Sequence, residues 1–238
     1  MQDRRTAAIF GAGGGLGAAL VAELAQRGWQ VAAGSRSGSG VRGATRAFAC
    51  DVTDQDSIAA AAETLRDARP ELVIVATGVL TLADGRGPER SYRHIDPAAM
   101  AEIFTINTIG PALVAKHVLP LLPRDRRCVF AALGARVGSI TDNRLGGWHS
   151  YRASKAALAM LIRNFALELA RTHPLAAVIG LHPGTVDTAL SAPFQAKLPQ
   201  GQLTSPAQAA ERMLTVIETL APEASGSVLD YAGNILPP

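Results

Sequence analysis

Tyr151 and Lys155 lie four residues apart in a stretch with helical periodicity, so their side chains leave one helix face a turn apart. A phenol of pKa about 10 is a weak base at neutral pH, and a neighbouring ammonium favours its phenolate. Such a pair can give or take a proton. Taken alone, the spacing also describes many solvated helix surfaces, so its meaning depends on what else the chain places beside it. Other groupings offer less. His94, His117, His149, His173 and His182 show no metal-ligand spacing, and Cys50 and Cys128 form no Cys-x-x-Cys, so neither a metal site nor a disulfide is expected. Histidine is a common general base, but His149 reads as a loop residue that could line the substrate pocket.

The run Gly11-Ala12-Gly13-Gly14-Gly15-Leu16-Gly17 supplies the context, because it follows a short apolar segment and opens a helical pattern. Glycines let backbone approach a pyrophosphate closely, and a helix N-terminus offers free N–H groups and a positive dipole end to an anion. Strand, glycine loop and helix in that order point to a dinucleotide. The second strand ends in Ser35-Arg36, where a carboxylate would accept from an adenosine ribose 2′-hydroxyl. A hydroxyl and a guanidinium, with Arg42 close behind, suit a 2′-phosphate instead, so NADP(H) is expected in preference to NAD(H).

Elements that could position these groups are readable from the apolar pattern. Short apolar runs at 7–10, 29–33, 72–77, 129–133, 177–181 and 228–231 read as buried strands. Helical patterns cover 16–27, 57–69, 97–122 (with a break near Gly110-Pro111), 151–171 and 206–220. Their alternation predicts right-handed βαβ crossovers and a doubly wound parallel sheet, a Rossmann-like three-layer α/β/α fold. Ser205-Pro206-Ala207-Gln208 carries the parts of a capping box, and Gly28 is placed to close the first helix. The loops at 80–96 and 191–203 are long enough to shape a binding site, the second with Pro193, Phe194 and Leu198 as an apolar lining. One domain is expected over 1–238, with a cofactor half over about 1–125 and a catalytic and substrate half over about 126–238.

These residues resemble, from end to end, those of the short-chain dehydrogenase/reductase family. Gly11, Gly15 and Gly17 match its Gly-x-x-x-Gly-x-Gly pattern, Asp51-Val52 its adenine-contacting pair, and Ala76-Thr77-Gly78 the place of its Asn-Ala-Gly. Asn107 falls in the expected helix, Tyr151 to Lys155 is the Tyr-x-x-x-Lys signature, and Pro183-Gly184-Thr185-Val186-Asp187-Thr188 resembles the segment that holds the nicotinamide carboxamide. Val137-Gly138-Ser139-Ile140 through Gly146-Gly147-Trp148, and Leu229-Asp230-Tyr231-Ala232-Gly233, look most like the C-factor and sniffer-type carbonyl reductase branch.

The resemblance implies hydride transfer between nicotinamide and a carbonyl or alcohol. Tyr151 would be the acid or base, Lys155 would bind the nicotinamide ribose, and Asn107 would complete a proton relay through water. It also marks Gly13, Leu16, Val186 and Thr188 as cofactor contacts. Two positions depart from the pattern. Phe10 stands where a Thr usually precedes the first Gly, and Gly134 and Ala135 stand where a catalytic Ser is expected. Ser139 is the hydroxyl whose separation from Tyr151 comes nearest to the family's, and a turn serine bonded to its own backbone is the competing reading. The missing Ser also motivates a second function, an NADP-binding sensor with weak or no catalysis.

At 238 residues, 48% apolar, 18% charged and a net charge of +3, the chain has ample core material and no polybasic run. Small-molecule substrates are expected, without nucleic acid or membrane, in a cytoplasmic setting. The family habit of pairing helices across subunits implies a homo-oligomer, dimer or tetramer, although its sniffer-like branch includes monomers.

Overall fold

Strand β1 (Thr6–Phe10) is an inner strand of the sheet and shows how the core is divided. Ala7 and Ile9 point into one apolar cluster and Ala8 and Phe10 into another, as a strand buried on both faces requires. The computed structural model describes residues 5–199 and 201–238. Around β1 it builds a seven-stranded, wholly parallel sheet from β2 (Gln30–Ser35), β3 (Arg46–Ala49), β4 (Leu72–Val75), β5 (Cys128–Leu133), β6 (Ala176–His182) and β9 (Val228–Asp230). Their order is β3-β2-β1-β4-β5-β6-β9. A separate parallel pair joins β7 (Thr185–Val186) to β8 (Leu203–Thr204).

Helices cover both faces. On one side α1 (Gly15–Gln26) contributes Leu16, Leu20, Val21 and Leu24, and α6 (Pro206–Glu218) contributes Met213, Leu214 and Ile217. On the other lie α2 (Gln55–Leu65), α3 (Pro97–Phe104), α4 (Gly110–Val118) and α5 (His149–Leu169), with Ile58, Leu65, Val114, Val118, Leu158 and Ile162 turned inward. The doubly wound sheet and the alternation of elements are as the apolar pattern predicts. Ser205 and Gln208 form the full capping box, and Gly28, at φ +79°, closes α1.

Three local features differ from the sequence expectation. Strand β3 escaped it because only Phe48 of its four residues is buried, and β7 and β8 are two residues long. The 72–77 run leaves the sheet after Val75, where Ala76 to Gly78 turn toward the cleft. No break occurs at Gly110-Pro111. Instead a π-helical turn at Thr105–Ile109 joins α3 to α4, the Gly110 N–H bonding the Thr105 carbonyl five residues back. Pro111 has no N–H, so a carbonyl one turn earlier lacks a helical donor, and the wider turn absorbs that mismatch. The whole helix, Pro97–Leu121, is long and apolar enough to cross a membrane by length and composition, but Ile103, Val114, Ala115 and Val118 are buried inside the protein, as in a core helix.

Gly34 on β2 leaves room for Phe48 of the neighbouring strand, since a Cβ there would lie 2.3 Å from Phe48 Cε2. That ring packs edge-on against Phe10, with centroids 5.2 Å apart. Gly34→Ala is expected to lower stability by about 1–3 kcal/mol through overpacking, and adding Phe48→Leu should recover a large part of it. Denaturant midpoints for the two single variants and the double variant measure this, and additive losses would contradict it.

Candidate active site

Because β2 and β4 flank β1 on opposite sides, the chain leaves the carboxyl ends of β1 and β4 toward opposite faces and opens a crevice there. A cavity of about 1040 Å³ occupies it. One wall is the start of α1, with Gly14, Gly15, Leu16 and Gly17. A Cβ at Gly17 would lie 2.2 Å from the Gly11 carbonyl oxygen, so the loop can fold onto the helix only with glycine there. Gly14 gives α1 no side-chain cap and its first turn holds no acidic residue, which leaves helix N–H groups free to meet an anion. Gly11, at φ +88°, and Ala12 anchor the loop from behind by donating to the Gly34 carbonyl, and Gly13 passes close to Ser35.

Facing that wall, Pro183, Gly184, Val186 and Thr188 run off β6, with Thr188 Cγ2 3.2 Å from where a Gly15 Cβ would be. Ala76, Thr77 and Gly78 form the floor. The Thr77 hydroxyl is buried there without a hydrogen-bond partner. An uncapped helix start and an orphaned hydroxyl on one cavity fit a nucleotide that brings both phosphate and hydrogen-bonding groups. Ser35, Arg36, Asp51 and Val52 lie beyond these walls, at the ends of β2 and β3. Arg36 is exposed and pairs with no carboxylate among the described residues. The N–H and hydroxyl of Thr53 hold the Asp51 carboxyl below the usual carboxylate range, with a smaller contribution from Arg36.

Tyr151 and Lys155 meet the cavity from the first turns of α5. Lys155 is only 4% exposed, and its Nζ donates to the Leu133 carbonyl at 2.8 Å and lies 5.8 Å from the centre of the Tyr151 ring. Burial pushes the ammonium down to about 8 and the Tyr151 phenol up to about 12. The expectation that the lysine charge lowers the phenol therefore does not hold for the protein by itself, where desolvation prevails and the phenol stays protonated. Asn107 is fully buried. Its Oδ1 accepts from the Val79 N–H at 2.8 Å, and its Nδ2 donates to the Val79 carbonyl and to Ser154 Oγ. The side chain thus braces the loop after β4 against α5. A Cβ on Gly78 would be 3.3 Å from Asn107 Oδ1 and 3.5 Å from Lys155 Nζ, so the two polar groups converge on one backbone position.

Ser139 is not where the reading from spacing needs it. Its hydroxyl donates to the Pro238 carbonyl and accepts from the Asp142 N–H, and it borders a second, smaller cavity that adjoins the main one at Gly134, Ala135 and Lys155. Its bond from the Asp142 N–H is that of a turn serine, and Thr141 beside it also bonds the Pro238 carbonyl, so this start of the loop is held against the chain's last residue. Gly134 and Ala135 do line the main cavity and bring no hydroxyl.

Pro193, Phe194 and Leu198 line the cavity as the sequence suggested, while Leu80, Pro88, Trp148 and His182 were passed over. Trp148, in the left-handed conformation at φ 52°, packs against Phe194 at 5.2 Å and meets Tyr151 edge-on at 6.3 Å. Their side chains give the reacting end an aromatic wall, to which Leu80 and Pro88 from the earlier loop and Pro193 and Leu198 from the later one add. Gln200, in that later loop, lies outside the described residues. His182 faces the cavity, and burial holds its imidazole down to about 4, so it is neutral at pH 7. His149 begins α5 and is not part of the lining. Only the place of His182 beside Pro183-Gly184 could have flagged it.

The chain belongs to the short-chain dehydrogenase family, whose profile it matches over residues 5–199. It is 40% identical to the C-signal protein of Myxococcus xanthus over 144 residues, which is 60% of this chain and 81% of that one. It is 31% identical to a 1-hydroxy-2-glutathionyl-2-methyl-3-butene dehydrogenase of Rhodococcus sp. (strain AD45) over 236 residues, covering 97% and 98% of the two chains. Among solved structures it is similar to an NADPH-bound carbonyl reductase from chicken fatty liver, with a TM-score of 0.81 at 26% identity over 98% of this chain and 94% of that one. The fold is shared with the carbonyl reductase Sniffer of D. melanogaster, with a TM-score of 0.82 at 18% identity over 98% and 99% of the chains.

A lysine whose pKa falls on folding opposes the folded state while it is charged. The opposition is complete below pH about 8 and fades as pH rises toward the unfolded value of about 10.5. Lys155→Met is therefore expected to be more stable than the parent at pH 7, by up to about 3 kcal/mol, and to lose most of that advantage by pH 10. Denaturant titrations at the two pH values check the sign. A Met variant that is less stable at pH 7 would show that the Leu133 contact outweighs desolvation.

Proposed function

We propose that the chain is an NADP(H)-dependent oxidoreductase that transfers hydride between the nicotinamide and a carbonyl or alcohol substrate, with Tyr151 as the acid/base. The observation that carries this reading is that one cavity holds both the uncapped start of α1 and the Tyr151–Lys155 pair. Likeness to an NADPH-bound carbonyl reductase supports the choice of cofactor and substrate class. The bound dinucleotide supplies or accepts the hydride. Gly14 to Gly17 and the first turn of α1 receive its phosphates, and Arg36 with Ser35 receives the 2′-phosphate.

On reduction Tyr151 gives its Oη proton to the carbonyl oxygen, and burial keeps the phenol protonated for that task at neutral pH. Lys155 is still an ammonium below pH about 8 and faces the phenolate that remains. It also binds ribose hydroxyls, and Asn107 holds a water through which the replacement proton reaches it from solvent. With Gly134 and Ala135 at the end of β5, Tyr151 must polarise the oxygen as well as protonate it. Trp148, Phe194 and Leu198 keep water from the reacting carbon and take an apolar substrate body. We place this activity in the cytoplasm, in a homo-oligomer.

The absent serine favours one competing function, an NADP sensor with little turnover. NADPH oxidation with a panel of aldehydes, ketones and quinones separates the two. Turnover is expected with some of them and should fall at least about 100-fold in Tyr151→Phe. Nucleotide binding without turnover of any carbonyl would favour the sensor. Arg36→Asp is expected to lower the preference for NADPH over NADH by about tenfold or more in kcat/KM, and an unchanged ratio would remove Arg36 from 2′-phosphate recognition.

A further inference from the structure

The charge on the main cavity is one-sided. Among its lining residues Arg90, Arg136 and Lys155 are cationic and none is a carboxylate. Two of the three are already engaged. Lys155 donates to the Leu133 carbonyl, and Arg136 Nε donates to Asp142 at 2.9 Å. The Arg90 guanidinium has neither a hydrogen bond nor an ion pair among the described residues, yet its backbone is held in place from the residue before it.

Glu89 supplies that hold. It is 8% exposed, and its carboxylate accepts from the N–H and the hydroxyl of Ser150, while its backbone carbonyl accepts from the Trp148 N–H. Burial works to raise the Glu89 carboxyl, but the Ser150 bonds and the nearby His149 outweigh it and leave the group below the usual carboxylate range. A buried anion thus ties the loop after β4 to the first turn of α5, one residue before Tyr151. Arg152 ties the facing loops by donating to the Gly147 and Val137 carbonyls. Arg90 follows the clamp directly, and its carbonyl lies 3.8 Å from where a Gly147 Cβ would be, so its backbone is held next to Trp148, at the Tyr151 end of the cavity, and its exposed side chain is part of the lining.

We propose that Arg90 is a substrate-binding residue that takes a carboxylate, and that the substrates are apolar aldehydes or ketones bearing a carboxylate away from the carbonyl. The inference rests on the reductase reading of the cavity and narrows it. An unpaired guanidinium beside an apolar wall offers two parallel N–H donors to a planar carboxylate, while the wall takes the hydrocarbon between the two ends.

The test uses the NADPH-loaded protein with para-carboxybenzaldehyde and para-methylbenzaldehyde, which share a ring and a carbonyl and differ in charge. The carboxylated aldehyde is expected to have the higher kcat/KM by about tenfold or more, mainly through KM. Arg90→Gln should reduce that ratio about tenfold and Arg90→Glu should invert it. Calorimetry on the NADP⁺-loaded protein with para-(hydroxymethyl)benzoate and para-methylbenzyl alcohol gives a second readout that needs no turnover. Binding of the carboxylated alcohol should be the tighter, and Arg90→Gln should remove the difference. Equal handling of the charged and neutral compounds in both assays overturns the proposal, as does a preference that survives Arg90→Gln. Arg90-dependent binding of the carboxylate without reduction of either aldehyde supports the subsite and counts against the reductase reading.

Discussion

An ammonium group held out of water is the constraint on which the site depends. Lys155 keeps one hydrogen bond, to the Leu133 carbonyl, where in water it would have several, and the surrounding structure must be rigid enough to enforce that. The rigidity comes from around Ser154, between the two reactive residues. Ser154 Oγ donates to the Tyr151 carbonyl and accepts from Asn107 Nδ2, while Thr108 Oγ1 donates to the Ser154 carbonyl at 2.8 Å. The π-helical turn is what brings Asn107 and Thr108 to α5 in this register, so an irregularity in one helix fixes the reactive face of another.

The same burial sets the protonation state of the pair. Desolvation moves a cationic lysine and a neutral phenol in opposite directions, lysine down and tyrosine up, and leaves an ammonium next to a protonated phenol at neutral pH. That state is ready for proton donation. For the reverse reaction the phenol must ionise, and the positive nicotinamide ring of an oxidised cofactor would supply the missing charge. The cleft itself follows from strand order, which parts the loops on either side of β1 and leaves α1 pointing its free N–H groups at the space between.

Much of this was legible in the chain because its determinants are local. The glycine loop, the i,i+4 spacing of Tyr151 and Lys155, and the Ser205 capping box are all encoded within seven residues or fewer. Other features depend on distant partners. Ser139 has a plausible separation from Tyr151, but the C-terminal Pro238, 99 residues away, claims its hydroxyl. The Glu89–Ser150 clamp spans 61 residues, and no periodicity announces it. Strand β3 shows one buried side chain, too few for alternation to register, and the π-helical turn read as a break because a proline in a helical pattern usually is one.

The ionisation of Tyr151 tests the central claim most directly. It can be followed as the ultraviolet difference between the parent and Tyr151→Phe across a pH titration, with and without NADP⁺. The expected result is that without nucleotide Tyr151 remains protonated to well above pH 10, toward about 12, and that NADP⁺ lowers its ionisation by at least about one pH unit. A Tyr151 ionisation at or below pH about 10 without nucleotide, unmoved by NADP⁺, would contradict the account.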